Sequence, residues 1–500
     1  MSRPAIVIAA AYVGLQMATS GRYGYFRDEL YYLACGDHLA WGYVDHPPVV
    51  ALVARVSRAL FGESLLAIRL LSAVAGGATI LLTGRLVRVF GGDAWAEAVA
   101  ALGVVIAPIF LFLFHILSMN AWDVLLWTAV ALTVARIFAE ERPSLWVAAG
   151  VLIGVGVETK HSMAFFVLGL ATGMLLTPAR RWLADRFLWS GAAIAAIIVA
   201  PHVWWQAAHG WPTLEFARNA TAHKNEALSP LAFLVEQILQ MHPVNVLLLG
   251  AGLWFLATAR GGRFRPFAWA YLAVFALLVA QRGKPYYISP IYPLMFAAGA
   301  AAIGAATARR TRWIRPAMLA AMLVFGAATA PFTLPILPVD LYIRYAAAIG
   351  LKPSSGERQR LGVLPQHYAD MFGWDEIVSR VARVYHALPP DEQRSVGIVA
   401  LNYGDAGAVD LLGPRYGLPL KAISPHNNYW YWGLRGASGE VLIVIGGNVR
   451  DHRQSYADVR EVDRIACGYC MPYENNQPIF ILRKPIRSID EIWRTSRFFI

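Results

Sequence analysis

The stretch "GYFRDELYYLACGDHLAWGYVDHPP", residues 24–48, follows nearly pure apolar sequence over residues 4–20. It sets Arg27, Asp28 and Glu29 together, then Asp45 beside His46, just beyond the first hydrophobic segment. Charge of this kind is scarce in the rest of the first two thirds of the chain. The 500 residues are 57% hydrophobic and 15% charged, against about 25% charged in an ordinary soluble protein. The deficit falls on residues 1–338, and charged residues return after Asp340. Such a shift predicts a membrane part followed by a water-soluble part.

A membrane-spanning helix needs roughly 17–25 apolar residues. About eleven stretches meet or approach that length, at 4–20, 65–84, 94–115, 121–139, 144–159, 162–178, 188–206, 243–258, 266–281, 288–308 and 316–337. The first has a minimal basic start and a poor cleavage context, so it reads as an anchor rather than a signal peptide. Alternate loops are rich in arginine: Arg85 and Arg88; Arg136 and Arg142; Arg180, Arg181 and Arg186; Arg260, Arg263 and Arg265; Arg309, Arg310, Arg312 and Arg315. The other set holds Lys160, Arg218, Lys224, Arg282 and Lys284. Basic loops stay in the cytoplasm. The N-terminus is therefore expected inside, and the chain after Pro338 outside. The net charge of +12 is largely this topological signal. A nucleic-acid partner would want the basic residues on one soluble face, and none is expected.

The expected organisation is a membrane domain over 1–338, with long outer loops at 21–64 and 207–230, and an extracytoplasmic α/β domain over 339–500. Within the loops, "DELYYLACGDHLAWG" and "PPVVALVARVSRALFG" have the mixed faces of helices lying in the membrane interface. "LAFLVEQILQMHP" before the 243–258 span reads the same way. In the tail, "RSVGIVALNY", "EVLIVIGG" and "QPIFILRKP" are short apolar runs like buried strands, and "DEIVSRVARVYHAL" is an amphipathic helix. The glycine-rich turns match neither G-x-G-x-x-G nor a P-loop. Of the three cysteines, Cys467 and Cys470 in "CGYC" read as two ordinary thiols, with a tight disulfide as the alternative.

Polar groups collect at the outer ends of the spans. They are Asp28, Glu29, Asp45 and His46; Asn120 and Asp123; Lys160 and His161; His202 and Gln206; His209, His223 and Lys224; and Arg282, Lys284, Tyr286 and Tyr287. Singly, each reads as a solvated carboxylate or a satisfied structural histidine. Their concentration on one face argues for chemistry there, because ionisable groups near a bilayer are costly unless paired or used. A carboxylate base with cations and hydroxyls suits transfer from a lipid phosphate: the cation steadies the departing phosphate and the base deprotonates an acceptor hydroxyl. A transporter or flippase of a lipid-linked sugar is the alternative. It would place its charges near the bilayer midplane on broken helices.

"RDELYYLACGDHLAWGYVDHPP", with "ETKHS" at 158–162 and "KPYYISPIYPLMFAAG" at 284–299, resembles the bacterial glycosyltransferases related to the protein O-mannosyltransferases. That family includes the aminoarabinose transferases of lipid A and the galacturonic acid transferases of rhizobial lipopolysaccharide. The resemblance implies a GT-C fold, a polyprenyl monophosphate sugar as donor, a lipid, glycan or protein acceptor, and a site at the outer face of a bacterial cytoplasmic membrane. By the same resemblance Asp28 is the acidic residue of the first outer loop, a general base or metal-associated group, with Glu29 its neighbour. Lys284 and Tyr287 match positions near the donor phosphate, and Lys160 and His161 a short turn near the site. Asp45, His46, Asp123 and Tyr286 complete the expected substrate-binding set. A divalent cation is left open, because "SMNAWD" at 118–123 has Asn120 where the family often carries an aspartate.

Overall fold

The computed structural model describes residues 2–226, 228–308 and 311–500. Arg309 and Arg310 of the basic loops lie outside the described residues, as does the side chain of Arg260.

The apolar runs are helices, and their ends follow local chemistry. Ser64 accepts from the Ala67 amide at 3.2 Å, Asp93 from Ala96 at 2.9 Å and Asp185 from Phe187 at 2.8 Å, each relieving a donor that the first helical turn leaves open. Among the described residues, 6 helices are long and apolar enough to cross a membrane: Leu65–Val89, Met119–Glu140, Arg186–Ala208, Gly261–Ala280, Pro285–Ala306 and Ile314–Phe332. The number is up to 8 if two bent pairs, Met163–Leu175 with Pro178–Ala184 and Pro230–Met241 with Pro243–Ala257, each count as one span. This is fewer than the eleven expected. The helices Ala94–Ile106 and Leu145–Thr159 are short by the same measure. The expected 94–115 span breaks at Ala107, which is extended ahead of Pro108, and a separate short helix runs Pro108–Leu113. A residue before proline is pushed out of the helical region, so the break is local sterics.

Helices approach closely where glycines face backbone. A Cβ on Gly150 would collide with the Gly191 backbone of the Arg186–Ala208 helix, a small-residue contact of the kind membrane helices use. That helix turns Trp189, Ile197 and Trp204 outward, as a lipid-facing surface does. The arginine-rich loops bond to one another: Arg181 meets Glu141 at 2.6 Å, Arg315 meets Asp93 at 3.0 Å, and Arg263 donates to the Ala139 carbonyl at 3.1 Å.

The C-terminal part carries one five-stranded sheet of order β2-β1-β3-β5-β4, with β1 Gly397–Ala400, β2 Ala422–Ile423, β3 Val441–Ile445, β4 Tyr456–Arg464 and β5 Pro478–Pro485. Strands β1, β2 and β3 are parallel, while β5 runs antiparallel to both β3 and β4. Strands β2 and β4 are absent from the sequence reading. Strand β2 is only two residues long. Strand β4 is an edge strand of mostly charged residues, "YADVREVDR", with no apolar run to betray it.

One face of the sheet packs on the helices Trp374–His386 and Tyr403–Leu412, and this core continues into Leu30, Tyr31, Leu33, Val50 and Ala51 of the 21–64 loop. That loop folds as two helices, Arg27–Asp37 and Val49–Phe61. Helix Arg27–Asp37 meets Tyr403–Leu412 at glycines. A Cβ on Gly407 would stand 2.9 Å from the Leu30 carbonyl carbon, and one on Gly404 would stand 2.8 Å from Arg27 Cγ. The missing side chains let residue 403 reach residue 28.

Candidate active site

A cavity of about 490 Å³ opens where the 21–64 loop, the long apolar helices and the C-terminal part meet. Its size falls within the range of small-molecule sites, about 300–1,000 Å³. One wall is apolar, made of Pro108, Ile109, Phe112, Leu113, Ile116 and Met119. The rest of the lining is largely polar, with Arg27, Asp28, Asp45, Lys224, Lys284, Tyr286, Tyr287, Glu357, Asp370 and Tyr403.

Asp28 and Glu29 are adjacent on a helix and point apart, as helix geometry requires. Asp28 faces the cavity, and its Oδ1 accepts a 2.9 Å hydrogen bond from the Tyr403 hydroxyl. Glu29 does not reach the cavity. Its carboxylate is fully buried, takes 2.8 and 2.7 Å hydrogen bonds from the equally buried Arg69, and accepts from the amides of Phe26 and Leu117, both at 2.8 Å. Every lone-pair direction of Glu29 is thereby occupied. Arg69 also donates to the carbonyls of Ser20 at 2.8 Å and Gly24 at 2.9 Å, which ties the loop to the Leu65–Val89 helix and sets the rotation that aims Asp28.

Asp45 lines the cavity with its Oδ1 on the Tyr31 hydroxyl at 2.8 Å. Burial raises its carboxyl above the usual range, against the pull of His46 and Tyr31. His46 lies behind it, stacked on Tyr43 at 4.5 Å, with Nδ1 2.9 Å from the Pro47 carbonyl. A carbonyl only accepts, so Nδ1 carries the proton. Burial favours the neutral ring.

Lys160 and Asp123 form a layer beneath the cavity. Lys160 Nζ donates to Asn120 Oδ1 at 2.7 Å and stands 3.7 Å from Asp123 Oδ2. It lies 5.0 Å from the ring centre of Tyr286 and 4.6 Å from that of Tyr287, so one ammonium props both rings. Asp123 also accepts from Ser162 at 2.7 Å. His161 sits apart from the cavity, its Nε2 3.0 Å from His202 Nε2. His202 Nδ1, at 3.1 Å, must donate to the Trp41 carbonyl, so His161 is the donor in the histidine pair. Burial and His202 lower His161 to about 4.

Lys284 Nζ donates to Glu357 Oε1 at 2.8 Å, and Lys224 lies 3.7 Å from the same oxygen. Arg27 lies against the rings of Tyr403 and Tyr473, at 4.7 and 5.5 Å from their centres, and donates to the Tyr473 hydroxyl at 2.7 Å. Tyr403, Glu357 and Asp370 were not legible as site residues. They lie more than 300 positions from Asp28 in runs whose polar residues look like ordinary loop and strand-end chemistry.

Among the described residues no three His, Cys, Asp or Glu side chains converge as a metal-ligand set. At Asn120 the amide oxygen already accepts from an ammonium. The donor set does not fit a protein-held divalent cation there.

Residues 45–205 match the model of the dolichyl-phosphate-mannose-protein mannosyltransferase family. Over 211 residues the chain is 29% identical to lipid A galacturonosyltransferase RgtD of Rhizobium johnstonii, a match that covers 40% of this chain and 42% of that relative. Among solved structures, ArnT from Cupriavidus metallidurans bound to undecaprenyl phosphate superposes with a TM-score of 0.64 at 14% identity, over 95% of this chain and 97% of that one. The chain has the GT-C fold. The mycobacterial arabinofuranosyltransferase AftD shares it more distantly, with a TM-score of 0.51 at 15% identity, over 98% of this chain and 40% of that one. The family match begins at Asp45, so within the GT-C fold the Asp28 carboxylate lies outside the matched stretch.

Proposed function

We propose that the protein is an integral-membrane glycosyltransferase that moves a sugar from a polyprenyl-phosphate donor to a hydroxyl of a lipid, glycan or protein. The observation that supports this reading is the mixed lining of the cavity. It combines a group of apolar side chains with both a carboxylate and a pair of lysines. A polyprenyl-phosphate sugar has the same combination in its tail and head. In this reading Asp28 takes the proton of the acceptor hydroxyl while Tyr403 holds the carboxylate in place. The acceptor oxygen bonds to the anomeric carbon, and the electron pair of the breaking bond leaves on the phosphate beside Lys284 and Lys224. Tyr286 and Tyr287 offer hydroxyls in the same lining.

The arginine bias of the alternate loops supports a multi-pass protein of the bacterial cytoplasmic membrane with this cavity and the C-terminal part outside. The flippase alternative lacks an observation of its own, since the charged cavity residues sit in loops and at helix ends. The test is incubation of purified protein with a polyprenyl-phosphate sugar and an acceptor-bearing membrane extract. Release of polyprenyl phosphate with labelled acceptor is the expected result. Movement of intact donor across a vesicle wall without release would replace this reading with transport.

A further inference from the structure

Two ammonium groups in the cavity converge on one carboxylate. Lys284 Nζ and Lys224 Nζ lie 2.8 and 3.7 Å from Glu357 Oε1, and Gln366 Nε2 donates to Oε2 at 3.1 Å. Backbone pairing delivers the carboxylate to this place. Glu357 and Asn225 form an isolated antiparallel bridge, and the Arg358 amide donates to the Lys224 carbonyl at 2.9 Å. Lys224 and Glu357 thus ride on two short segments zipped side by side. The two lysines hold the Glu357 carboxyl down to about 2, so it is ionised throughout the physiological range. Among the described residues neither ammonium has a second carboxylate partner.

The cluster carries two positive charges and one negative charge. A polyprenyl-phosphate sugar is a phosphodiester with one negative charge. Transfer breaks its sugar–oxygen bond and leaves the electron pair on the phosphate, now a monoester of about −1.5 to −2 charge with a second pKa of about 6. The reaction therefore adds charge to the ligand while the protein's charge stays fixed. We propose that Glu357 is a specificity-determining residue that trims the lysine pair to one net positive charge, so that the site holds the diester donor and expels the monoester product. The proposal rests on the polyprenyl-phosphate reading above. Without Glu357 the lysine pair would match a dianion, and the product would stay.

The test compares binding of polyprenyl phosphate and of its methyl diester to wild-type protein and to Glu357→Gln in detergent. At pH 7.5 the variant should tighten the monoester on the order of tenfold more than the diester, the effect of one unit charge a few ångströms away. At pH 5 the monoester keeps one charge, and the difference should shrink towards none. Asp28, Glu226, Asp370, Tyr286 and Tyr403 line the same cavity. They are present in both proteins and cancel in the variant-to-wild-type ratio. Equal tightening of both ligands, or weakening of both, overturns the proposal. So does wild-type protein that prefers the monoester at pH 7.5, a measurement that needs no variant. Wild-type protein that binds neither ligand would instead sink the donor reading itself.

Discussion

The Tyr403 hydroxyl donates to Asp28 Oδ1 at 2.9 Å across 375 residues of sequence, and it joins the sheet-bearing C-terminal part to the 21–64 loop. Burial and the Asp28 charge raise the Tyr403 pKa, so the phenol stays protonated and donates at any working pH. Tyr403 acts on the reaction only through Asp28, as a positioning residue. Tyr403→Phe should lower kcat about tenfold, the worth of one hydrogen bond to a charged group, and leave the donor KM nearly unchanged. A variant that raises KM alone would place Tyr403 in donor binding instead.

Asp28→Asn keeps the shape of the side chain and removes its basicity. A positioned base contributes roughly 10²–10⁴-fold, so kcat should fall by about that factor. The Tyr403 hydroxyl can still donate to the amide oxygen, so the folded protein should remain intact by thermal unfolding. Transfer at the wild-type rate would remove Asp28 from the chemistry.

Much of this site is legible in the sequence. Asp28, Asp45, Lys284, Tyr286 and Tyr287 stand out because polar groups are rare in an apolar chain and these share one end of the spans, and all of them line one cavity. Glu29 shows where that logic ends. In sequence it is as conspicuous as Asp28, but its partner Arg69 is hidden inside an apolar run. Only the turn of the helix separates a buried structural acid from a cavity-facing one. Tyr403 and Glu357 needed the tertiary fold, since a two-glycine helix contact brings Tyr403 to Asp28 and a backbone bridge brings Glu357 to Lys224. The span count suffered from proline: periodicity finds apolar helices, but a break such as that at Ala107–Pro108 shortens them without changing their composition.

Removing one partner of a buried ion pair strands the other charge, at a cost of about 3–5 kcal/mol. Glu29 and Arg69 are both 0% exposed. Glu29→Gln and Arg69→Met should each lower the melting temperature in detergent by many degrees. The double variant should lose less than the sum, because neither charge is then left unpaired. Additive losses would mean that the two side chains act independently.

Lys284→Ala should raise the donor KM about tenfold, the scale of losing one partly buried charge contact. The Lys284 side chain is 18% exposed and has Glu357 as its carboxylate partner. Lys284→Arg keeps the charge but changes its shape, and should fall between the two. A donor KM unmoved by Lys284→Ala would reduce Lys284 to a loop tie.

Asp370, Asp405 and Glu474 crowd around a single guanidinium, that of Arg27. Burial raises Asp370 to about 7 and Asp405 to about 6 against the pull of Arg27, and lifts Glu474 well above the carboxylate range. The folded state therefore holds protons that the unfolded chain releases from about pH 4. Where the native state binds more protons, stability falls as pH rises. For Asp370 that window runs from about pH 4 to about 7. The buried histidines His367 and His426, lowered to about 4 and about 3, have the opposite sign and lose stability as pH falls through 6.5. They are common to wild type and to Asp370→Asn, so the difference between the two proteins isolates the aspartate. Asp370→Asn should gain melting temperature relative to wild type steadily from pH 4 to 7 and hold that gain above it. A difference that stays flat across that range would mean Asp370 is ionised in the folded protein, with Arg27 as its full counter-charge.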